Sequence, residues 1–517
     1  MTQLTEPPAV FAHGAHTVAA TAVAAARRRA QVRELGPLAR AIAAEPVPHP
    51  ISPVVLVGTV RALECLMVAM IGAAIYSLYV YPQNGFDERY VYADIAVSLS
   101  ALVAFQAFEI YSTTAFRTHV HQLGRLAAAW TIVFLVALAL AFFIKFESSM
   151  SRSWAASWYL VGLAALLADR LVLTALVRRW ARQGRLVRRV VIVGGGREGE
   201  ALVRALHAEA DSDLRICGVF DDRGNDRSPE VVAGAPKLGT VDDLVEFTRL
   251  TRVDLILVSL PLTAEERVLA MVRKLWVLPV DVRLAAHMNR LRFRPRAYSY
   301  IGNVPVLDIF DKPLADWNLV LKSVFDRIVG ALALVALAPV LAAVAVAVKL
   351  DSRGPVLFRQ RRYGFNNELV EVFKFRSMYV DKADATAARL VTKDDPRVTR
   401  VGRFIRKTSL DELPQLFNVV FTGNLSLVGP RPHALQAKAE HRLYEEAVDG
   451  YFARHRVKPG ITGWAQINGW RGETDTQEKI QRRVEHDLYY IENWSLLFDI
   501  YILIRTPFAL LKSENAY

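Results

Sequence analysis

The first third of the chain alternates long apolar stretches with short polar segments. The apolar stretches occupy residues 55–80, 92–112, 127–145 and 155–177. Each is close to the ~20 residues that a helix needs to cross the hydrocarbon core of a bilayer. The pattern therefore predicts an α-helical membrane bundle of four spans within residues 55–180. An even number of spans returns the chain to the side on which it began.

The arginines around these stretches predict the orientation of the bundle. Five arginines lie in residues 1–54 and six in residues 178–189, whereas the loops at 81–91 and 145–155 together carry only three Lys or Arg. Short segments rich in Lys and Arg stay on the cytoplasmic side of a membrane. We therefore expect both ends of the region in the cytoplasm, with residues 1–54 as a disordered cytoplasmic tail.

Four charged residues interrupt the apolar stretches. Arg61 and Glu64 lie in the first stretch, and Asp169 and Arg170 lie in the fourth. Charges inside a span are costly, so they are candidates for a functional site unless they lie near the ends of the spans or pair between helices to fix the bundle. The sequence favours this second interpretation and leaves a functional role open.

A different pattern begins at residue 185. Short apolar strands at Arg188–Val193, Ile216–Phe220 and Val253–Leu260 alternate with helical stretches such as Glu200–Ala210. Buried strands that alternate with helices are typical of a parallel sheet. We predict a Rossmann-like α/β domain over residues 185–305, called the middle domain below.

The loop after the first of these strands carries a G-x-G-x-x-G pattern. Gly194, Gly196 and Gly199 supply the glycines, and Asp221 follows the second strand. Such a loop lets a nucleotide phosphate approach the backbone at a helix N-terminus, and the acid can meet a ribose hydroxyl. These four residues are the candidate cofactor-binding residues. The alternative is a scaffold without a cofactor, because the chain lacks the Tyr-x-x-x-Lys that we expect of a short-chain epimerase or dehydratase.

The last 200 residues open on another apolar stretch. Residues 328–348 have the length of a span, but Pro339 lies at the centre, where it removes a helical hydrogen bond and favours a break. Basic residues flank both ends, so the positive-inside rule does not place the ends on opposite faces. We predict a re-entrant membrane helix over residues 322–350, and the alternative is a fifth span.

The composition shows that the chain is both apolar and strongly basic. The chain has 517 residues, 53% of them hydrophobic, and a formal net charge of +13. A membrane protein that handles phosphates or anionic lipid combines these properties, whereas an ordinary soluble enzyme does not. The two cysteines exclude a disulfide framework and a Cys-rich metal site. The charge is concentrated, because residues 352–407 hold fourteen Lys or Arg and six acids.

This basic region leads into a pair of acids. Asp411 and Glu412 follow it, and a rigid Gly-Pro-Arg-Pro turn stands at residues 429–432. Ser409 and Glu412 have the spacing of a capping box, and the basic residues could lie against lipid headgroups. Phosphoryl transfer accounts for the whole set. One carboxylate can attack phosphorus, the second can hold Mg²⁺, and arginines can neutralise the phosphate oxygens.

Four ordered motifs stand in the same region. They are Lys374-Phe375-Arg376-Ser377-Met378, Asp411-Glu412-Leu413-Pro414-Gln415-Leu416, Leu427-Val428-Gly429-Pro430-Arg431-Pro432 and Lys458-Pro459-Gly460-Ile461-Thr462-Gly463-Trp464-Ala465-Gln466. Together they resemble the bacterial sugar transferase family, the polyprenyl-phosphate hexose-1-phosphate transferases. The resemblance covers most of the chain in the large form of that family, and residues 468–476 and 485–495 resemble its glucose-1-phosphate branch. It implies an α/β monotopic phosphoglycosyl transferase domain, with the re-entrant helix, over residues 318–517.

The resemblance also implies an activity and residue roles. A UDP-hexose, most closely UDP-glucose, would pass hexose-1-phosphate to undecaprenyl phosphate and release UMP, as the first step of exopolysaccharide or capsule assembly. Asp411 would be the nucleophile that carries the phosphosugar, Glu412 would be the Mg²⁺ ligand, and Pro339 would break the re-entrant helix. The residues implied to bind substrate are Lys374, Arg376, Arg406 and Arg431.

The implied surroundings are a bacterial cytoplasmic (inner) membrane, crossed several times, with the catalytic domain on the cytoplasmic face. The partners are then a UDP-sugar, undecaprenyl phosphate and membrane lipid. A homo-oligomer is left open, and nucleic acid is not needed to explain the positive charge. Two other hypotheses stay open at this point. One is a membrane NAD-dependent nucleotide-sugar epimerase or dehydratase that uses the glycine loop, and the other is a non-catalytic scaffold for polysaccharide assembly.

Overall fold

The computed structural model describes residues 34–111, 116, 120–143, 150–208, 213–224, 228–260, 265–286, 299–301, 304–380, 395–432, 438–439, 442–443, 448, 450–470 and 476–512. The chain divides into two compact units. One is Pro46–Arg188, and the other combines Met1–Glu45 with Arg189–Tyr517.

The unit Pro46–Arg188 is helical. Its helices are α2 (Pro53–Ile75), continued by a π-helical turn (Tyr76–Val80) and by α3 (Tyr81–Asn84), then α4 (Glu88–Ala107), α5 (Val120–Phe143) and α6 (Arg152–Arg182). Four helices of this unit are long and apolar enough to cross a membrane, as the hydrophobic pattern predicted. Their buried sides meet in one cluster that includes Trp130, Trp158 and Phe105.

One pair of buried charges joins two helices of this unit. Arg170 of α6 forms an ion pair with Glu64 of α2 at 2.8 Å and donates a hydrogen bond to its Oε2 at 3.0 Å, and both side chains are at most 5% exposed. The hydroxyl of Tyr111 donates to the same carboxylate at 3.0 Å. For Glu64 and Arg170 this confirms the predicted interhelical pairing, which satisfies charges that would be costly if they were buried alone.

The predicted disordered tail is wrong for its last part. A short helix, α1, covers Pro37–Ala43. Leu35 and Ala39 are buried in the core of the middle domain, beside Val241 and Phe247. This apolar contact orders residues that carry no strong helical periodicity of their own. Residues 1–33 lie outside the described residues.

The middle domain is a sheet flanked by helices. Its strands are β1 (Arg188–Val193), β2 (Leu214–Phe220), β3 (Val231–Val232), β4 (Ala235–Gly239), β5 (Leu255–Val258), β6 (Asp281–Ala285), β7 (Ser299–Ile301) and β8 (Val304–Phe310). Its helices are α7 (Arg197–His207), α8 (Val241–Leu250) and α9 (Glu265–Leu275). The strand order is β3-β4-β2-β1-β5-β6-β8-β7.

The central strands of this sheet run parallel. β1 pairs with β5, so that Val190 faces Leu255 and Val193 faces Val258, and β5 pairs in parallel with β6. β7 and β8 add an antiparallel edge. The predicted α/β domain with a parallel sheet is confirmed, and its first strand has the predicted bounds. The helix after the glycine loop begins three residues earlier than predicted, at Arg197.

The last part of the chain is an α/β domain built around a long helix. Its helices are α10 (Asp316–Asp351), α11 (Arg400–Lys407), α12 (Gln415–Phe417), α13 (Trp464–Ile467), α14 (Gln477–Glu492) and α15 (Leu496–Lys512). Its strands are β9 (Leu357–Tyr363), β10 (Leu369–Phe375), β11 (Ser426–Val428), β12 (Lys438–Ala439), β13 (Arg442–Leu443) and β14 (Gly460–Thr462). β9 and β10 form an antiparallel hairpin, and β11 pairs in parallel with β14.

Helix α10 packs on this domain along both halves. Val329 and Leu337 of the first half belong to a core cluster that includes Val372. Val344 of the second half belongs to a cluster with Phe375. The helix is also the fifth described helix of spanning length and composition. Its helical conformation continues through Pro339, so the predicted interruption of helical structure at that residue is not observed.

Candidate active site

The hairpin β9–β10 brings the first predicted motif to the centre of the domain. Lys374 lies next to the end of β10 and pairs with Phe358 across the hairpin. The fully buried Asn418 ties β10 to the segment after the acid pair, because its side-chain oxygen accepts from Phe373 N at 2.9 Å and its nitrogen donates to Glu371 O at 2.7 Å. One asparagine thus fixes the distance between Lys374 and the segment that carries the acids.

The two acids lie on a tight turn rather than on the first turn of an α-helix. Leu410–Glu412 form a 3₁₀ helix, and Ser409 before it has φ of +58°, a left-handed conformation that is uncommon for residues with a side chain. The Ser409 side chain makes no capping hydrogen bond. The capping-box interpretation is therefore wrong, and the Glu412 side chain turns toward cations instead.

Glu412 lies between two cationic side chains. Its Oε1 accepts from Lys374 Nζ at 2.7 Å and from Arg431 Nη2 at 2.5 Å, and its Oε2 accepts from Arg431 Nη1 at 3.2 Å. The Glu412 side chain is 12% exposed, against 18% for Lys374 and 26% for Arg431. Three predicted site residues, separated by 38 and 19 positions in the sequence, thus form one cluster that reaches solvent.

Arg431 is positioned by close backbone packing behind it. Gly429 N donates to Thr462 O at 2.9 Å, and Gly460 N donates to Pro430 O at 3.0 Å. A Cβ on Gly460 would stand 2.1 Å from Gly429 N, so only glycine fits there. The Gly-Pro-Arg-Pro and Lys-Pro-Gly motifs therefore form one backbone unit that carries Arg431.

The charges around Asp411 and its burial set the pKa of its carboxyl close to neutral pH. Burial raises the pKa of its carboxyl from 3.8 to about 6, with Lys374 lowering it and the neighbouring Glu412 raising it. Arg406, at the end of α11, and Arg431 also lower the pKa. Four of the five predicted charged residues thus act on Asp411, all but Arg376, and its carboxylate is mostly ionised at pH 7 to 8.

Arg376, also predicted to bind substrate, lies at the end of α10. Its Nη2 donates to Ser352 O at 2.6 Å, to Ser352 Oγ at 3.0 Å and to Val348 O at 3.3 Å, and the residue is 6% exposed. These acceptors lie at the C-terminal end of α10, where a cation also complements the helix dipole. The structure therefore shows Arg376 holding the helix terminus, and its role in binding substrate stays a prediction.

Two buried charges behind the site were not predicted. Arg454 and Asp487 are at most 2% exposed and pair at 2.6 Å, and Arg454 Nη2 donates to Arg431 O at 2.7 Å. The sequence does carry a signal for Asp487. It lies on the buried side of α14 with Ile480, Val484 and Ile491, where an acid needs a partner.

The donor set around Asp411 and Glu412 fits Mg²⁺ bound together with a substrate. Among the described residues, no three His, Cys, Asp or Glu side chains come together to form a metal site. Mg²⁺ needs no such cage, because it commonly uses one or two carboxylates with substrate phosphates and water. Glu412 can serve in that way if it releases one of its two cations.

The glycine loop forms hydrogen bonds with other residues of the middle domain. Gly195 N donates to Asp221 Oδ2 at 2.7 Å, and Arg223 pairs with the same carboxylate at 2.7 Å. A Cβ on Gly199 would stand 2.0 Å from Gly194 O, so this glycine serves close packing of helix and strand. In this arrangement Asp221 accepts the hydrogen bond of the Gly195 amide. The role of Gly194, Gly196, Gly199 and Asp221 in binding a cofactor stays a prediction.

The chain was compared with known proteins. Residues 317–513 match the family described as bacterial sugar transferase, and residues 106–286 match the family described as CoA-binding domain. An undecaprenyl-phosphate glucose phosphotransferase of Komagataeibacter xylinus is 42% identical over 70% of this chain and 66% of its own length, just under two thirds. A UDP-glucose:undecaprenyl-phosphate glucose-1-phosphate transferase of Xanthomonas campestris pv. campestris is 36% identical over 81% of this chain and 86% of its own length.

This chain belongs to the bacterial sugar transferase family.

The match places Lys374, Asp411, Glu412 and Arg431 of this sugar transferase inside the family region. The resemblance inferred from the four motifs is therefore confirmed. A third relative, the exopolysaccharide production protein PSS of Rhizobium leguminosarum bv. phaseoli, is 48% identical over 37% of this chain and 94% of its own length. With five described helices of spanning length and composition, the sugar transferase is a multi-pass membrane protein.

Proposed function

We propose that this sugar transferase passes glucose-1-phosphate from UDP-glucose to undecaprenyl phosphate, as the first step of exopolysaccharide assembly. The observation that carries the proposal is the cluster in which Glu412 lies between Lys374 and Arg431, beside Asp411, whose pKa is raised by burial. The names of the relatives from Komagataeibacter and Xanthomonas supply the donor and the lipid acceptor. The exopolysaccharide product follows the name of the Rhizobium relative.

The reaction is a double displacement at one phosphorus atom. The ionised Asp411 carboxylate attacks the sugar-linked phosphorus of UDP-glucose, the bond to the bridging oxygen breaks, and UMP leaves with the electron pair. A phosphate oxygen of undecaprenyl phosphate then attacks the same phosphorus. The bond to Asp411 breaks, which restores the free carboxylate and yields the lipid diphosphate sugar.

The cations of the site bind the donor phosphates during both steps. Arg431 offers two N–H groups in a fork and Lys374 offers a point charge, so both can turn from Glu412 to phosphate oxygens as the donor enters. Bound Mg²⁺, held by Glu412, would neutralise phosphate charge in the transition state. Arg406 adds positive potential from the end of α11.

Helix α10 is proposed to enter and leave the membrane on one side. Near its start, Lys322 Nζ donates to Val428 O at 3.0 Å, and near its end Val348 O accepts from Arg376. A straight helix would rise about 39 Å between these two contacts, which is more than the ~30 Å thickness of the hydrocarbon core. Both contacts nevertheless join the helix to the same catalytic domain, so the two ends of the helix lie on one side of the membrane. Between them Val335 is 75% exposed and apolar. These contacts support a re-entrant helix that is bent near Pro339. The basic residues that flank both ends of the helix support a catalytic domain on the cytoplasmic face of the cytoplasmic membrane.

A labelling experiment tests the proposed reaction. The purified full-length protein is incubated with Mg²⁺ and UDP-glucose that carries ³²P in the β-phosphate, without lipid acceptor. We expect protein-bound label, released by hydroxylamine as an acyl phosphate is, and one UMP for each label. Undecaprenyl phosphate should then remove the label into an organic-soluble product.

Matched variants decide between an aspartyl intermediate and other outcomes. Asp411→Asn preserves the shape of the side chain but should retain no label, while Glu478→Gln on the exposed side of α14 should label like the wild type. Equal labelling of Asp411→Asn refutes the assigned nucleophile. A scaffold predicts no UMP release with any donor, and a screen of UDP-glucose, UDP-galactose and UDP-N-acetyl sugars tests the sugar in the same assay.

A further inference from the structure

The middle domain rests on the catalytic domain through a small set of contacts. The end of α8 contributes Thr248, whose carbonyl accepts from Asn366 Nδ2 at 2.9 Å, and Arg249, whose guanidinium lies 5.2 Å from the ring centre of Phe452. Close by, Trp276 lies against Gly450, because a Cβ on that glycine would stand 2.6 Å from the indole ring.

The contacts of Arg249 and Trp276 converge on one short element of the catalytic domain. Residues Tyr451–Arg456 form a 3₁₀ helix, and five of its six residues are buried. Arg456 at its end donates to Asp311 O, just after strand β8 of the middle domain, at 3.0 Å. A small, almost fully buried helix has little freedom to move without its contacts, so the middle domain helps to fix where it lies.

The same 3₁₀ helix holds the backbone of the active-site arginine. Arg454 is fully buried, its Nε and Nη2 donate to Asp487 at 3.0 and 2.6 Å, and Nη2 also donates to Arg431 O at 2.7 Å. Arg431 stands between Pro430 and Pro432, and the following proline has no N–H with which to anchor the next peptide. The bond from Arg454 therefore fixes a peptide plane that few other groups can fix.

We propose that Arg454 is a positioning residue for Arg431, and that the middle domain tunes the active site by packing on the 3₁₀ helix that carries Arg454. The chain of contacts runs from Arg249 to Phe452, through one turn to Arg454, and then to the Arg431 carbonyl. Arg431 in turn holds Glu412. This inference rests on the proposed function of Arg431 as the group that binds the donor phosphate.

The helix that carries Arg249 also begins close to the glycine loop of the middle domain. The N-terminus of α8 is fixed by Thr240, which forms a capping box with Asp243, and Val241 N donates to Asp222 Oδ1 at 2.9 Å. Asp222 directly follows Asp221, the residue that engages the glycine loop. One helix of ten residues thus connects the loop end of the sheet to the 3₁₀ helix behind the active site.

The test compares donor kinetics in full-length variants. UMP release is measured against UDP-glucose concentration, and the labelled fraction counts active sites. Arg454→Lys keeps the charge but cannot donate to both acceptors with the same geometry, so KM for the donor should rise about tenfold. Arg249→Ala, outside the catalytic domain, should raise KM about threefold. Arg204→Ala, whose side chain is 70% exposed on α7, serves as the control with unchanged KM.

A double variant separates coupling from general loss of stability. If Arg249 acts through the Arg454 turn, Arg454→Lys combined with Arg249→Ala should raise KM no more than Arg454→Lys alone. Multiplied effects, or a wild-type KM in Arg454→Lys, overturn the proposal. A protein that is merely less stable loses labelled fraction but keeps its KM.

Two further comparisons make the result decisive. Asp487→Asn keeps the size of the side chain and one acceptor for Arg454, so it gives a second measurement if Arg454→Lys does not accumulate, and its KM should rise severalfold. Wild type that neither releases UMP nor takes up label refutes the proposed function itself. Active wild type with unchanged KM in all variants refutes only the positioning role.

Discussion

The ionisation of Asp411 gives a prediction in which two substitutions act in opposite directions. Lys374 lowers the pKa of Asp411, and Glu412 raises it. Lys374→Met should therefore move the pH at which the nucleophile becomes ionised upward, and Glu412→Gln should move it downward. A general loss of folding would not separate the two variants in this way.

The magnitude follows from the environment of the carboxyl. Burial raises its pKa from 3.8 to about 6, which corresponds to about 3 kcal/mol of preference for the neutral form. Only the ionised form attacks, so activity falls as pH drops through about 6. At pH 5 about a tenth of the protein should be reactive, and at pH 7 about nine tenths. A neighbouring charge a few ångströms away changes a pKa by about one unit or more, and we expect shifts of about one unit.

The assay is the initial rate of ³²P incorporation in rapid quench, measured from pH 4.5 to 8.5 at saturating donor. Wild type should reach half of its plateau near pH 6, Lys374→Met near pH 7 and Glu412→Gln near pH 5. The plateau itself should fall in both variants, because both residues contact the phosphate site. Glu478→Gln should leave the midpoint unchanged. Midpoints that coincide in all four proteins, or shifts of the opposite sign, would show that Asp411 is not the titrating nucleophile.

Two further predictions concern helix α10. Lys322 is 7% exposed and pairs with Asp499 at 2.7 Å and Asp326 at 3.2 Å, so Lys322→Met should leave two buried carboxylates uncompensated and cost about 3 to 5 kcal/mol. Thermal unfolding in detergent measures this loss, and an unchanged Tm would contradict it. For the re-entrant topology, Asn318→Cys and Arg353→Cys, in protein whose native cysteines are replaced by serine, should both react with an impermeant thiol reagent only after the cytoplasmic face is opened. Labelling of either position from outside intact cells would indicate a fifth span.

Local pattern was enough to predict much of the architecture. Short runs of neighbouring residues predict the spanning helices, the first strand of the middle domain and the acid-pair motif. Apolar periodicity and backbone preference act over these short distances. The interhelical pair of Glu64 and Arg170 was predictable too, because charges in apolar spans have few other ways to be satisfied. The family resemblance added residue roles, and for Lys374, Glu412 and Arg431 the geometry is consistent with them.

Other features depended on contacts that no short window contains. The packing of residues 34–43 against the middle domain ordered a segment predicted to be disordered. Arg376 stands two residues from Lys374 and carries the same charge, yet its guanidinium holds the end of α10. The strand ends at Phe375, so the alternation that would have kept these two side chains on one face no longer applies.

The sequence by itself determined the kind of protein, namely a membrane protein with a Rossmann-like domain and an acid pair set among cations for phosphate chemistry. Only the tertiary structure decided which cations meet which acid. Glu412 lies between Lys374 and Arg431 because a hairpin, a tight turn and a glycine-packed backbone unit converge from distant parts of the chain. It also decided that Arg454 and Asp487 stand behind Arg431. The value of a buried charge depends on its partner, and partners distant in sequence are chosen by packing.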